Sequence, residues 1–160
     1  MNAVKRYVTG AVTMILLFSL FPTATASASC YSPTRKERSF VRKMNRARIE
    51  EGHAPLKLDL EVSKVSKVHT RAMAKDASLY HTSSATLSRR VTNWILLGEN
   101  VGVGGTVSSL HRAFMESPHH RANIMLPQFQ YVGVGAVMAG DRLWVTVTFE
   151  AKSNPGSPLC

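Results

Sequence analysis

The sequence predicts a single α+β domain, because its hydrophobic period changes along the chain. In three segments between residues 33 and 116, apolar side chains recur every three or four positions, as on one face of a helix. From Tyr131 to Phe149 they alternate instead, as in strands, around a turn at residues 139–142. Helices followed by a closing hairpin indicate a sheet packed against helices.

The first 28 residues are typical of a signal peptide. Two basic residues precede an apolar run at residues 11–21, and small residues ending in Ala28 suit cleavage before Ser29. The run is too short for a permanent transmembrane anchor. We therefore expect a secreted protein that is not integral to a membrane. Residues 29–160 are expected to form one domain with its core at about residues 40–150.

The only two cysteines, Cys30 and Cys160, lie near the ends of this expected domain. In an oxidising compartment they most simply form a disulfide, which would contribute on the order of 4–5 kcal/mol in the chain-entropy model. Two alternatives stay open, namely unpaired thiols and a lipid anchor on Cys30. The lipid anchor is disfavoured because Ser27 occupies a position where acylation motifs carry an aliphatic residue.

The first helix is expected at about residues 33–51. Its partly apolar stripe consists of Phe40, Val41, Met44, Ala47 and Arg48. Gly52 is a typical stop signal, and the proline at position 55 predicts an extended link after it.

A second helix is expected to start at an Asp59 cap and to reach about Asp76. Val65, Val68, Ala72 and Met73 recur at helical spacing, which indicates one buried face. We interpret His69 on this helix as a surface or flank residue rather than a ligand.

The middle of the chain is less regular. A short helical turn is expected at residues 87–91 and a short buried stretch at residues 94–97. Three glycines, Gly102, Gly104 and Gly105, predict a tight loop, because no complete dinucleotide fingerprint surrounds them. A third helix is expected at about residues 106–116, followed by a short helix at 118–125 and by strands at 131–138 and 143–149.

The chain is basic, with a formal net charge of +10. Its cationic residues are scattered along the predicted helices with no aromatic stacking platform, so they are interpreted as solvated helix faces. Nucleic-acid binding is not expected, whereas anionic envelope surfaces are plausible partners. The residues concerned are Arg35, Lys36, Arg42, Lys43, Arg46, Arg48, Lys64, Lys67, Arg71, Arg89 and Arg90.

Three polar segments are the candidates for a functional site: His81, residues 98–100, and residues 117–124. Two of them are too compactly polar for ordinary strand or helix interior. If the segments converge, two imidazoles and a carboxylate are a familiar set for holding zinc with an open position. The structural alternative is that these side chains bond one another and stabilise neighbouring loops.

These segments and their order along the chain resemble the CAP superfamily, the cysteine-rich secretory, antigen 5 and pathogenesis-related proteins, and in particular its bacterial SCP-like branch. The resemblance spans about Phe40 to Phe149. Its motifs are Met44-Asn45-Arg46-Ala47-Arg48, Tyr80-His81-Thr82-Ser83, Gly98-Glu99-Asn100-Val101, Ser117-Pro118-His119-His120-Arg121-Ala122-Asn123-Ile124, Gly133-Val134-Gly135 and Trp144-Val145.

The resemblance implies an α-β-α sandwich with a central, mainly antiparallel sheet, and a cleft where His81, Glu99 and His120 meet. The candidate ligand-binding residues of this cleft are His81, Glu99, Asn100 and His120, and the candidate metal ligands among them are His81, Glu99 and His120. The resemblance favours His120 over His119, which stands where the bacterial motif usually has glycine. It also implies a secreted bacterial protein whose cleft binds a divalent cation such as zinc, a lipid or another small molecule. We expect a monomer.

Two other functions stay open. The first is a hydrolase that uses a metal-bound water or a Glu99 base with a histidine acid. Neither an H-E-x-x-H nor a G-x-S-x-G motif supports it. The second is a non-catalytic basic protein that binds envelope or host surfaces through charge.

Overall fold

The computed structural model describes residues 31–152. The expected signal peptide, its cleavage site at Ala28 and Ser29, and the Cys30–Cys160 disulfide lie outside this range and stay predictions. Among the described helices, none is long and apolar enough to cross a membrane. The described elements are α1 (Arg35–Glu50), β1 (Lys57–Leu58), α2 (Leu60–Asp76), α3 (Ser84–Arg90), β2 (Trp94–Gly104), α4 (Val107–Glu116), α5 (Pro118–Met125), β3 (Tyr131–Ala139) and β4 (Arg142–Lys152).

The sheet has the strand order β1-β3-β4-β2, which leaves β2 at an edge. The expected hairpin is confirmed: β3 and β4 pair antiparallel around Gly140, whose φ of 59° favours glycine. β2 pairs antiparallel with β4, and the two-residue β1 pairs parallel with β3. The sheet is therefore mainly antiparallel, as the resemblance implied.

β4 lies between two layers of helices. Its alternate side chains point to opposite faces of the sheet, and each face contacts a different layer. Val145, Val147 and Phe149 join the main core with Phe40 of α1 and Phe114 of α4. The intervening threonines contact α2 on the other face. This arrangement is the α-β-α sandwich.

Helix α2 lies unusually close to the sheet, and a glycine makes the approach possible. A Cβ atom at Gly135 would lie 2.5 Å from backbone atoms of Ser66. At this distance small hydroxyl residues fill the interface. Ser66 Oγ donates to Thr148 Oγ1 at 2.9 Å, and Thr70 Oγ1 donates to Thr146 Oγ1 at 2.8 Å. At these positions the interface is therefore a polar seam of hydroxyl groups.

Of the basic residues expected on solvated faces, one is buried and a second is mostly buried instead. Arg48 is fully buried, and its guanidinium donates to the carbonyls of Ala54, Ile124 and Leu126, which holds the end of α1 to the end of α5. Burial lowers the pKa of Arg48. Lys67 forms a 2.7 Å ion pair with the buried Glu37. Polar partners compensate the cost of burying both charges.

The middle of the chain differs most from expectation, because residues 94–104 form one long strand rather than a short buried stretch and a tight loop. Residues 98–100 are strand interior. Gly102 and Gly104 are needed for packing rather than for turning. A Cβ at Gly102 would lie 2.8 Å from Phe114, and one at Gly104 would lie 3.1 Å from Leu110.

His69 is also not on the surface, since only 5% of it is exposed. Its Nε2 atom lies 2.8 Å from the carbonyl oxygen of Tyr80, and the two rings meet edge to face. His69 therefore fixes the segment that immediately precedes His81.

A buried charge cluster lies where the end of β4 meets the start of α2. Lys152 Nζ is 2.5 Å from Asp59 Oδ2 and 3.4 Å from Glu150 Oε2. The longer contact is not aligned as a hydrogen bond, and neither Glu150 oxygen accepts one from the described residues. Burial, partly offset by Lys152, raises the pKa of Glu150 to about 7.

We predict that this carboxyl group makes stability depend on pH. Because the folded-state pKa of about 7 exceeds the ordinary 4.5, the contribution of protonated Glu150 is complete below pH 4.5 and is lost as pH rises through 7. Glu150→Gln should therefore unfold with a free energy roughly 2–3 kcal/mol higher than wild type at pH 8, and with little difference at pH 4. Urea titrations across this range measure the difference. The exposed Glu50→Gln serves as control, and equal pH profiles for wild type and Glu150→Gln would refute the assignment.

The close approach of α2 gives a second prediction. Gly135→Ala should lower the free energy of unfolding by about 3 kcal/mol, because the new methyl group meets backbone that cannot move aside. Gly105→Ala is the matched control, since a Cβ there has nothing within 4 Å. Thermal and urea unfolding of both variants measures the difference in stability. A Gly135→Ala protein as stable as the Gly105→Ala protein would contradict the close packing of α2 against the sheet.

Candidate functional site

The edge strand β2 brings Glu99 into direct contact with His81. Glu99 Oε1 lies 3.0 Å from His81 Nδ1, and the Glu99 side chain is only 6% exposed. The same oxygen accepts from the backbone N–H of Thr82 at 2.8 Å, and Oε2 accepts from Thr82 Oγ1 at 2.7 Å. Both carboxylate oxygens are therefore already engaged by the His81 segment.

This contact determines which His81 nitrogen is available to a ligand. A carboxylate can only accept, so Nδ1 carries the proton in the neutral ring and Nε2 keeps its lone pair. The His81 side chain is 58% exposed. The pair thus presents an oriented imidazole nitrogen to solvent.

His120 approaches the same strand from the opposite layer. It lies on α5, and its ring packs against Phe114 with 4.8 Å between ring centroids. Burial lowers the pKa of His120, and the charges of His81 and His119 lower it further. The His119 side chain, next to it on α5, is exposed.

Asn100 is fully buried, and its amide group binds residues of α5. Its Nδ2 atom donates to the carbonyl of His120 at 2.9 Å, and its Oδ1 accepts from Asn123 at 2.9 Å. Asn123 also donates to the carbonyl of Glu99 at 3.3 Å. Gly98 leaves room for neighbouring side chains, because a Cβ there would lie 2.8 Å from the ring of Phe129 and 3.2 Å from Asn123 Oδ1.

Sequence reasoning assigned no role to Thr82 or Asn123. Both lie within the motifs that carry the family resemblance, and Asn123 is three residues after His120 on one helical face. That spacing was the available signal for Asn123. No periodicity marks Thr82, whose role depends on the fold.

The side chains available to bind a metal ion are the two imidazoles, rather than two imidazoles together with the Glu99 carboxylate. Along residues 31–152, no three His, Cys, Asp or Glu side chains are arranged to hold one ion. Glu99 already accepts three hydrogen bonds, which leaves the two imidazoles as donors. A carboxylate that bonds the second nitrogen of a ligating histidine is a common outer partner in zinc sites.

An open groove of about 260 Å³ reaches the site from the side of α2, and His81 lies in its wall. Val68, Ala72 and Tyr80 give it an apolar part, and Arg90 a cationic one. A ligand in this groove would have access to the imidazole of His81.

Comparison with known proteins identifies the family. The model of the cysteine-rich secretory protein family, CAP, matches residues 41–149. Uncharacterized protein YkwD of Bacillus subtilis (strain 168) is 29% identical over 130 residues, which cover 76% of this chain and 50% of that protein. This chain thus spans about half the length of that relative.

Solved structures agree with this assignment at the level of the fold. An extracellular protein containing a SCP domain from Bacillus anthracis str. Ames superposes with a TM-score of 0.66 at 22% identity, covering 73% of this chain and 40% of that one. NaASP2 with Zn²⁺ superposes with a TM-score of 0.57 at 12% identity, covering 78% and 92%. Since the family model spans most of the described residues, this chain belongs to the cysteine-rich secretory protein (CAP) family.

Proposed function

We propose that this CAP domain binds a divalent transition-metal ion, such as zinc, in the cleft between His81 and His120. The observation that carries the proposal is the 3.0 Å contact between Glu99 Oε1 and His81 Nδ1. This contact orients His81 with Nε2 as a lone-pair donor, which is the form that ligates metals.

The state of His120 supports the same proposal. A metal ligand must be neutral, and burial keeps the pKa of His120 below its ordinary value. The backbone carbonyl of His120 accepts from Asn100 at 2.9 Å, and its ring packs against Phe114. Two imidazoles leave the remaining coordination positions to water or to a ligand from the groove.

Catalysis is less well supported by the same contacts. His81 Nε2 could accept a proton from water, as a general base requires. However, the hydroxyl group of Thr82, which lies next to the His81–Glu99 pair, donates to Glu99 and not to His81. Thr82 is therefore not positioned as a nucleophile, and metal or ligand binding is the better-supported function.

Export from the cell is part of the proposal. The charged start, apolar run and small residues of positions 1–28 support it. The Bacillus anthracis protein with the same fold is an extracellular one.

The zinc proposal is tested by calorimetry. Titration of zinc into the protein should show one-to-one binding that is lost in His81→Ala and in His120→Ala. Glu99→Gln should weaken the affinity by about 10–100-fold, because it removes the outer carboxylate. Circular dichroism must show that each variant is folded.

His119→Ala is the matched control, because it removes the adjacent but exposed imidazole and should leave zinc binding unchanged. Binding that survives both His81→Ala and His120→Ala would place the metal elsewhere and refute the proposal. Binding by neither wild type nor variant would favour the purely structural interpretation of the His81–Glu99 pair.

The export proposal makes a prediction of its own. When the full chain is expressed in a bacterial host, the protein recovered from outside the cytoplasm should begin at Ser29. Mass spectrometry of the intact protein reads this end directly. Retention of the first 28 residues in the exported protein would contradict cleavage at Ala28.

A further inference from the structure

Within residues 31–152, the longest run of consecutive exposed apolar side chains lies at the start of β2. Trp94, Ile95 and Leu96 are consecutive and are 41%, 60% and 39% exposed. Isolated exposed apolar residues are normal, but three in succession on an edge strand are not, because such an edge invites association. We therefore interpret this run as a candidate binding surface.

The local fold holds these side chains outward. After α3, Asn93 adopts a left-handed conformation with φ of 59° and turns the chain into β2. The indole Nε1 of Trp94 donates to the carbonyl of Ser88 at 3.1 Å, which ties the ring to α3. The register then shifts between Trp94 and Leu96, so Ile95 is the extra residue of a bulge.

Because of the bulge, the run presents apolar groups on more than one side of the sheet. Trp94 lies opposite Lys152 and Leu96 opposite Ala151 on β4. Since consecutive residues of β4 point to opposite faces, Trp94 and Leu96 also lie on opposite faces. The result is a projecting ridge rather than a flat face or a groove.

Cationic side chains flank this ridge. Arg89 and Arg90 are exposed in the last turn of α3, directly before the turn. Arg90 also lines an open groove together with Lys64. The nearby acid Glu61 accepts hydrogen bonds from Thr92 on both oxygens. The ridge therefore combines an exposed indole, an exposed isoleucine and a pair of arginines.

We propose that this ridge, Arg89, Arg90, Trp94, Ile95 and Leu96, docks the protein onto an anionic lipid bilayer. Trp94 and Ile95 enter the interfacial region, where indole rings are favoured, and the two arginines contact phosphate groups. A partner strand is a poorer occupant, because the bulge interrupts the edge that it would have to pair with. This inference is independent of the metal proposal.

Tryptophan fluorescence gives a local test, because the chain has two tryptophans and only one of them is exposed. In Trp144→Phe, Trp94 is the only indole. Vesicles of phosphatidylglycerol and phosphatidylcholine should shift its emission to shorter wavelength, and brominated lipids should quench it. Pure phosphatidylcholine should cause a much smaller shift. If Trp144→Phe fails to fold, brominated-lipid quenching of wild type reports Trp94, because Trp144 is buried.

Matched variants distinguish vesicle binding through the ridge from binding through charged or apolar side chains elsewhere on the surface. Ile95→Asp should weaken vesicle binding at least tenfold, whereas Ile49→Asp, which replaces an isoleucine that is also 60% exposed, should not. Arg89→Gln with Arg90→Gln should weaken binding about 25-fold, at about fivefold per arginine. Arg35→Gln with Lys36→Gln removes the same charge and should have little effect.

Three outcomes would overturn the inference. The first is a Trp94 spectrum that anionic vesicles leave unchanged, including one that is already typical of a buried indole. The second is equal loss of binding in the Arg35/Lys36 and Arg89/Arg90 variants, which would indicate unspecific charge attraction. The third is a dimer in sedimentation equilibrium that Ile95→Asp abolishes, which would make the ridge a contact between copies of this chain. Because Trp94 reports only its own surroundings, membrane affinity elsewhere in the chain does not mimic the expected result.

Discussion

The close contact between α2 and the sheet is the constraint on which the site depends. The glycine at position 135 lets the helix backbone approach, and the Ser66–Thr148 and Thr70–Thr146 hydrogen bonds hold it there. With α2 in that position, His69 reaches the carbonyl of Tyr80, one residue before His81. If α2 lay farther from the sheet, the His81 segment would lose its contact with His69. The hydroxyl contacts between α2 and β4 therefore help to position the imidazole of His81.

Two neighbouring residues of β2 position both segments of the proposed cleft. Because adjacent strand residues point to opposite faces, Glu99 reaches the His81 segment while Asn100 reaches the helix that carries His120. Neither residue needs to touch a ligand to matter. Their shared strand fixes the relation between the two layers, which explains why a polar pair occupies the interior of an edge strand.

Much of the fold follows from the sequence, because periodicity reports burial. The stripe of α1 and the hairpin of β3 and β4 were predicted and are confirmed, although the polar face of β4 is buried under α2 as well. β2 was missed, because its first residues are apolar but exposed and its glycines imitate a loop. Burial of His69 was missed because one hydrogen bond to a distant carbonyl, rather than an apolar neighbour, determines it. The identity of the cleft residues came from family resemblance, since no spacing rule joins His81 to Glu99.

Arg48 gives the molecule a mechanical property. Its guanidinium binds carbonyl groups after the end of α1 and at the end of α5, and within residues 31–152 all of its hydrogen-bond acceptors are backbone carbonyls. Since Arg48 lies in α1 and its guanidinium binds the carbonyls of Ile124 and Leu126, α1 and the helix that carries His120 are held together as one unit.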